Sequence, residues 1–97
     1  MKDKRSVPDR LKSAAVLYEE RNAMYGNAYR SVGYAMHAMF PNGIELTTVK
    51  DFNRFGCFHT MVSKMCRYSN TFHLGGHADS MDDISVYAAM IQELDNE

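Results

Sequence analysis

The 97-residue sequence lacks tryptophan, has only two cysteines, and has no apolar run near the roughly 20 residues a membrane-spanning helix needs. A bilayer-crossing segment is therefore excluded on length. The start is polar and no apolar segment follows it, so no secretory signal is read. Neither sign of charge dominates: 11 basic and 12 acidic residues give a formal charge of −1. That balance excludes a protein that coats nucleic acid, and the basic group Lys2, Lys4 and Arg5 reads as a solvated tail. Cys57 and Cys66 fall in one helical segment, about 13 Å apart along its axis, too far to bridge each other. Buried thiols in a reducing cytoplasm are expected. Strand patterning is nearly missing, since Ile44-Glu45-Leu46-Thr47 is too short to count. There are no repeats, no low-complexity tracts, no phosphate-cradling glycine motif, no dinucleotide fingerprint and no nucleophile–base arrangement.

What is present describes a helical protein. The hydrophobic fraction of 45% excludes disorder. The chain, residues 1–97, makes one domain near the lower size limit, so its core is thin unless copies associate. Eight methionines suit packed helix faces and contacts between copies. Beyond a tail at 1–6, a first helix is predicted from Val7 to Tyr25. Ser6-Val7-Pro8-Asp9 is its capping signal, Leu11, Ala14, Ala15, Tyr18 and Tyr25 recur at helical spacing, and Gly26 stops it. A second runs from Asn27 to Phe40, with Val32, Ala35, Met36 and Met39 on one face and Tyr29, Gly33 and Phe40 on another. A helix apolar on two sides lies between neighbours or at a subunit contact. The third opens on the capping box Thr48-Val49-Lys50-Asp51 and runs to Tyr68, with Phe52, Phe55, His59, Val62 and Cys66 as its stripe. Gly56 reads as a point of close helix packing, and His37 and His59 as partly buried. After a loop at Ser69–His77, a fourth helix starts near Asp79, which would cap it, and runs to Leu94. Its buried stripe is Ile84, Ala88 and Ile91, and residues 95–97 fray.

Two polar groups remain. Lys64 and Arg67 share a helix face, and a guanidinium forks onto carboxylate or phosphate where an ammonium acts as a point charge. Asp79, Asp82 and Asp83 fall at i, i+3 and i+4, on adjacent parts of one surface. Carboxylate oxygens suit Mg2+, and acids in a first turn also stabilise the helix end. The cations either pair with these carboxylates or form a site for phosphate and metal. Glu19, Glu20 and Arg21 read as a solvated face. His73 and His77, with Gly75-Gly76 between them, do not make a zinc site.

These residues carry a resemblance. Glu20-Arg21, then Tyr25-Gly26-Asn27, then Lys64-x-x-Arg67, then Asp79-Ser80-x-x-Asp83 with Tyr87-Ala88-Ala89 resemble the E-R…Y-G-D, K-x-x-R and D-S-x-x-D-x-x-x-Y-A pattern of a group of small phage and prophage proteins. That group is similar to nucleotide-modification-associated domains and, more distantly, to all-α nucleoside triphosphate pyrophosphatases of the MazG type. The resemblance spans Glu19 to Leu94 and singles out Tyr25, Lys64, Arg67, Asp79, Asp83 and Tyr87. Asn27 stands where the pattern has aspartate. The third helix has no carboxylate after Asp51, so the E-x-x-E cage of the pyrophosphatases is not recognisable.

The expectation is thus an all-α, compact four-helix bundle-like domain completed by homo-oligomerisation. The resemblance implies a phage-type nucleotide binder in the cytoplasm of a bacterial host, a sponge for a phosphorylated nucleotide. Lys64 and Arg67 would hold phosphate, Tyr25 or Tyr87 would stack on the base, and Asp79 and Asp83 would hold Mg2+. The alternatives are a Mg2+-dependent pyrophosphohydrolase, and a structural or host-inhibitory phage protein with no small ligand.

Overall fold

Helix α1 (Val7–Tyr25) begins where the Ser6 hydroxyl accepts from the Asp9 amide at 3.3 Å, with a proline in its first turn. It ends at Gly26, whose positive φ of 60° few other residues tolerate. Helix α2 (Ala28–Met39) follows at once, and Asn27 precedes it without a side-chain cap bond. Helix α3 (Val49–Thr71) opens on the full reciprocal capping box of Thr48 and Asp51. It runs three residues past the expected stop at Tyr68, and Ser69, Asn70 and Thr71 in that last turn bond their side chains back onto the carbonyls of Cys66 and Tyr68. A single 3-10 turn, Phe72–Leu74, leads to Gly75 and Gly76, both at positive φ. Helix α4 spans Ala78–Asp95. The computed structural model describes residues 2–97, and they form an all-α, bundle-like fold with no strand among them.

Helix α3 is the central member. It packs most extensively on α4, then on α2, and least on α1. The buried apolar residues among those described are Ala28 and Val32 of α2 with Val62 and Cys66 of α3, flanked by half-buried Tyr25, Ala35, Met36 and Phe58. No residue of α1 is buried. The radius of gyration is 16.6 Å, above the about 13 Å of a globular domain this size.

The thin core corrects several local readings. His37 and His59 are exposed, because the apolar faces around them are not covered within the chain. Phe52 of the α3 stripe is exposed, and only the Val62–Cys66 end of that stripe is buried. Nothing lies within 4 Å of where a Gly56 Cβ would sit, so this glycine mediates no close packing in the chain. The close approach occurs at Gly76 instead, where an added Cβ would come within 2.7 Å of the Tyr68 ring. Both thiols are free, and burial raises the pKa of Cys66.

Candidate functional site: a cleft beside Arg67

The polar residues of α3 and α4 separate into two arrangements. Lys64 Nζ meets Asp83 Oδ2 at 3.0 Å, with the lysine 21% and the aspartate 48% exposed. Of the two cations expected to face the first turns of α4, Lys64 does so, as antiparallel neighbours joined by a short loop allow, and Arg67 does not. Arg67, one turn further along α3, takes no part in an ion pair among the described residues. Its guanidinium carbon stands 5.2 Å from the centroid of the Tyr25 ring, a cation–π arrangement.

Tyr25 also meets His77. Its ring meets the His77 ring edge-on, with centroids 5.5 Å apart, and its hydroxyl lies 3.4 Å from His77 Nε2. His77 is the residue that caps α4: Nδ1 accepts from the Ser80 amide at 3.3 Å and lies 2.7 Å from the Ser80 hydroxyl. This replaces the expected Asp79 cap. Asp79 falls inside the helix, one residue past its start, and stays exposed. An Nδ1 that accepts from an amide places the ring proton on Nε2 in the neutral ring, so Nε2–H donates to Tyr25 Oη. The Ser80 hydroxyl and the imidazole are as close as a nucleophile and its base would be, but Ser80 is only 2% exposed. The contact therefore closes a helix end and offers no reagent to solvent.

Around Arg67 and Tyr25 opens a cleft of about 320 Å³ between α1 and the α2–α3 pair. Ala14, Leu17, Tyr18, Arg21, Asn22 and Tyr25 of α1 form one wall, and Ala28, Tyr29 and Arg67 form the other. Tyr18 and Tyr29 meet edge-on at 6.4 Å at its rim. Arg30 Nε donates to the Tyr29 hydroxyl at 3.1 Å. Hydrogen bonding with Tyr18, and then from Arg30, holds the Tyr29 phenol below its usual pKa. The Oδ1 of Asn22 is buried in the wall with no hydrogen-bond partner among the described residues. An orphan acceptor of this kind calls for a partner from outside the chain, a water or a ligand.

Of the residues singled out in the sequence, the cleft brings together Tyr25 and Arg67. Lys64 and Asp83 lie outside its lining as an ion pair, and exposed Asp79 and half-buried Tyr87 also lie outside it. Among the described residues, no three His, Cys, Asp or Glu side chains converge where a metal ion would sit. Sequence reasoning missed Tyr18, Tyr29 and the cleft-facing position of Arg21, and it missed the bridge made by His77. Part of this was readable: Ala14, Tyr18, Arg21 and Tyr25 follow a 4-3-4 spacing, which puts them on one seam of a helix. No family model, no curated protein and no solved structure matches the chain.

Proposed function

We propose that the cleft binds a phosphorylated nucleotide and holds it without turning it over. The observation that carries this reading is Arg67: a half-buried guanidinium with no carboxylate partner among the described residues, laid on a tyrosine ring in a cleft with a second arginine. A half-buried cation without a counter-charge has given up part of its hydration, and a phosphate would supply both the charge and a bidentate acceptor. Arg21 adds a second positive group at the same opening. Tyr18, Tyr25 and Tyr29 offer faces on which a planar base can stack, and stacking of that kind contributes about 1–3 kcal/mol per base. The cleft volume sits at the lower end of small-molecule sites, which span about 300–1,000 Å³.

Lys64, committed to Asp83, acts in this reading as a support for α4 beside the site. Asp79 and Asp83 remain the candidate oxygens for a Mg2+ ion that arrives with the phosphates, since such an ion takes one or two carboxylates and keeps water and phosphate for the rest of its shell. These carboxylates belong to α4, whereas the cleft is lined from α1, α2 and α3. That separation favours a binder over a hydrolase. The resemblance to small phage proteins implies the cytoplasm of an infected bacterium as the setting, where a binder without turnover acts as a sponge.

The test is equilibrium binding of nucleoside mono- and triphosphates to the unmutated protein and to Arg67→Ala, alongside melting curves of both. Loss of one charge-assisted contact weakens binding roughly 10- to 100-fold, with little change in melting temperature. Absence of binding by the unmutated protein for every nucleotide tried, at millimolar concentration, overturns the reading. So does a large fall in melting temperature of Arg67→Ala with affinity unchanged.

A further inference from the structure

We infer that a second copy of this chain seats on α1, antiparallel to it across a two-fold axis. The inference is independent of what the cleft binds. Its first support is area. The chain exposes 7490 Å², whereas a folded monomer of this mass exposes about 5,700 Å². The excess, about 1,800 Å², lies within the roughly 1,000–2,500 Å² that each partner buries in an obligate homodimer. The second support is the open face of α1. Helix α1 spans about 28 Å and buries no residue, although Val7, Leu11 and Tyr18 lie on one seam and are each at least half exposed. Most helical stability in proteins comes from packing of one face, and α1 has little of that within its own chain.

Charge then selects the occupant and its direction. The first half of α1 carries Arg10 and Lys12 against Asp9, and the second half carries Glu19 and Glu20 against Arg21. Lys12, Glu19 and Glu20 form no ion pair among the described residues. A parallel partner would set Lys12 against the partner's Lys12 and Glu19 against the partner's Glu19. An antiparallel partner crossing near Ala14 and Ala15, small residues that allow close approach, sets each half of net positive charge against the partner's half of net negative charge, with Arg10 beside the partner's Glu19. Such self-complementarity is what a two-fold contact requires, and it fixes orientation more than affinity. The same crossing brings the partner's Leu11 over Tyr18, at the rim of the cleft.

Light scattering on the purified chain at micromolar concentration reads the outcome directly. The expected mass is twice 11.1 kDa, or an even multiple of the chain. Leu11→Glu should return a single chain that keeps its helical circular dichroism, while Met90→Glu, on the exposed side of α4, leaves the mass unchanged. Lys12→Glu should weaken association roughly tenfold, and adding Glu19→Lys and Glu20→Lys to it should restore association. A single-chain mass for the unmutated protein overturns the inference, as does an odd number of copies. So does a Leu11→Glu protein as associated as the parent. Failure of the double-charge rescue overturns the antiparallel arrangement even if Leu11→Glu does not fold.

Discussion

The two ends of this chain are built on opposite terms. Where α3 meets α4, Lys64 pairs with Asp83, Ser80 is buried, and His77 caps a helix while reaching Tyr25. Helix α1 has equally strong local signals, with a hydroxyl cap, a proline in its first turn and a glycine stop, yet none of its residues is fully buried. Local propensity and tertiary burial are separate quantities. A helix can be well specified along its length and still have a face that its own chain leaves uncovered.

Mutations sharpen that contrast, and the largest effect is expected in the core. Val62, 4% exposed, touches the small cluster on which α2 and α3 meet. Val62→Ala should cost about 2–3 kcal/mol in denaturant unfolding, from lost transfer energy and the cavity left behind. Leu11→Ala, measured at a concentration where the chain is single, should change stability by less than about 0.5 kcal/mol, as at an open surface. Equal effects at the two sites would break the comparison.

Next comes the turn that lets α4 fold back on α3. Gly76 sits at φ 99° with the Tyr68 ring where a Cβ would go. Gly76→Ala should lower stability by about 2 kcal/mol, through backbone strain and displacement of that ring. Tyr68→Ala in the same background should recover the steric part and leave the strain. Thermal unfolding of the two proteins separates the contributions.

A smaller effect tests the link between the two regions. His77→Ala removes the α4 cap, at about 1 kcal/mol, and frees the Tyr25 hydroxyl. Hydrogen exchange should speed up at Ser80, whose amide loses its acceptor, and also at the C-terminal turn of α1. Faster exchange at α4 alone would mean that the Tyr25 contact does not hold α1.

The smallest effect lies at the start of α3. The amides of Thr47 and Thr48, with the Thr48 hydroxyl group, hold the Asp51 carboxyl below its ordinary pKa. A depressed carboxylate contributes stability above its unfolded value, about 3.9. That contribution is lost as pH falls through the folded value. Asp51→Asn should therefore melt below the parent at neutral pH, with the gap narrowing below about pH 4. A gap that is constant down to pH 2 would assign the difference to the side-chain amide itself.

Much of the fold was legible because helix signals are local. The caps at Ser6 and Thr48 each involve a residue three positions on, and the stop at Gly26 needs only one residue that accepts positive φ. The misreadings were also local. Aspartate outranks histidine as a helix cap, so the sequence points to Asp79, and Ser69 to Thr71 look like loop residues, so the sequence points to an early end for the third helix. The site was half legible. Lys64 and Arg67 stood out as a pair, but nothing in their spacing says that one meets a carboxylate and the other a ring.

The sequence by itself determined four helices, their polar and apolar positions, a pair of cations on one helix face and a run of acids at another helix start, since each depends on residues within a few positions of one another. Only the tertiary structure decided that Arg67 lies on Tyr25, that His77 reaches back 52 positions to the same ring, and that α1 leaves a cleft and an apolar seam open. Those outcomes depend on how helices distant in sequence pack. That packing is set by the shape and volume of whole faces, which no short run of residues encodes.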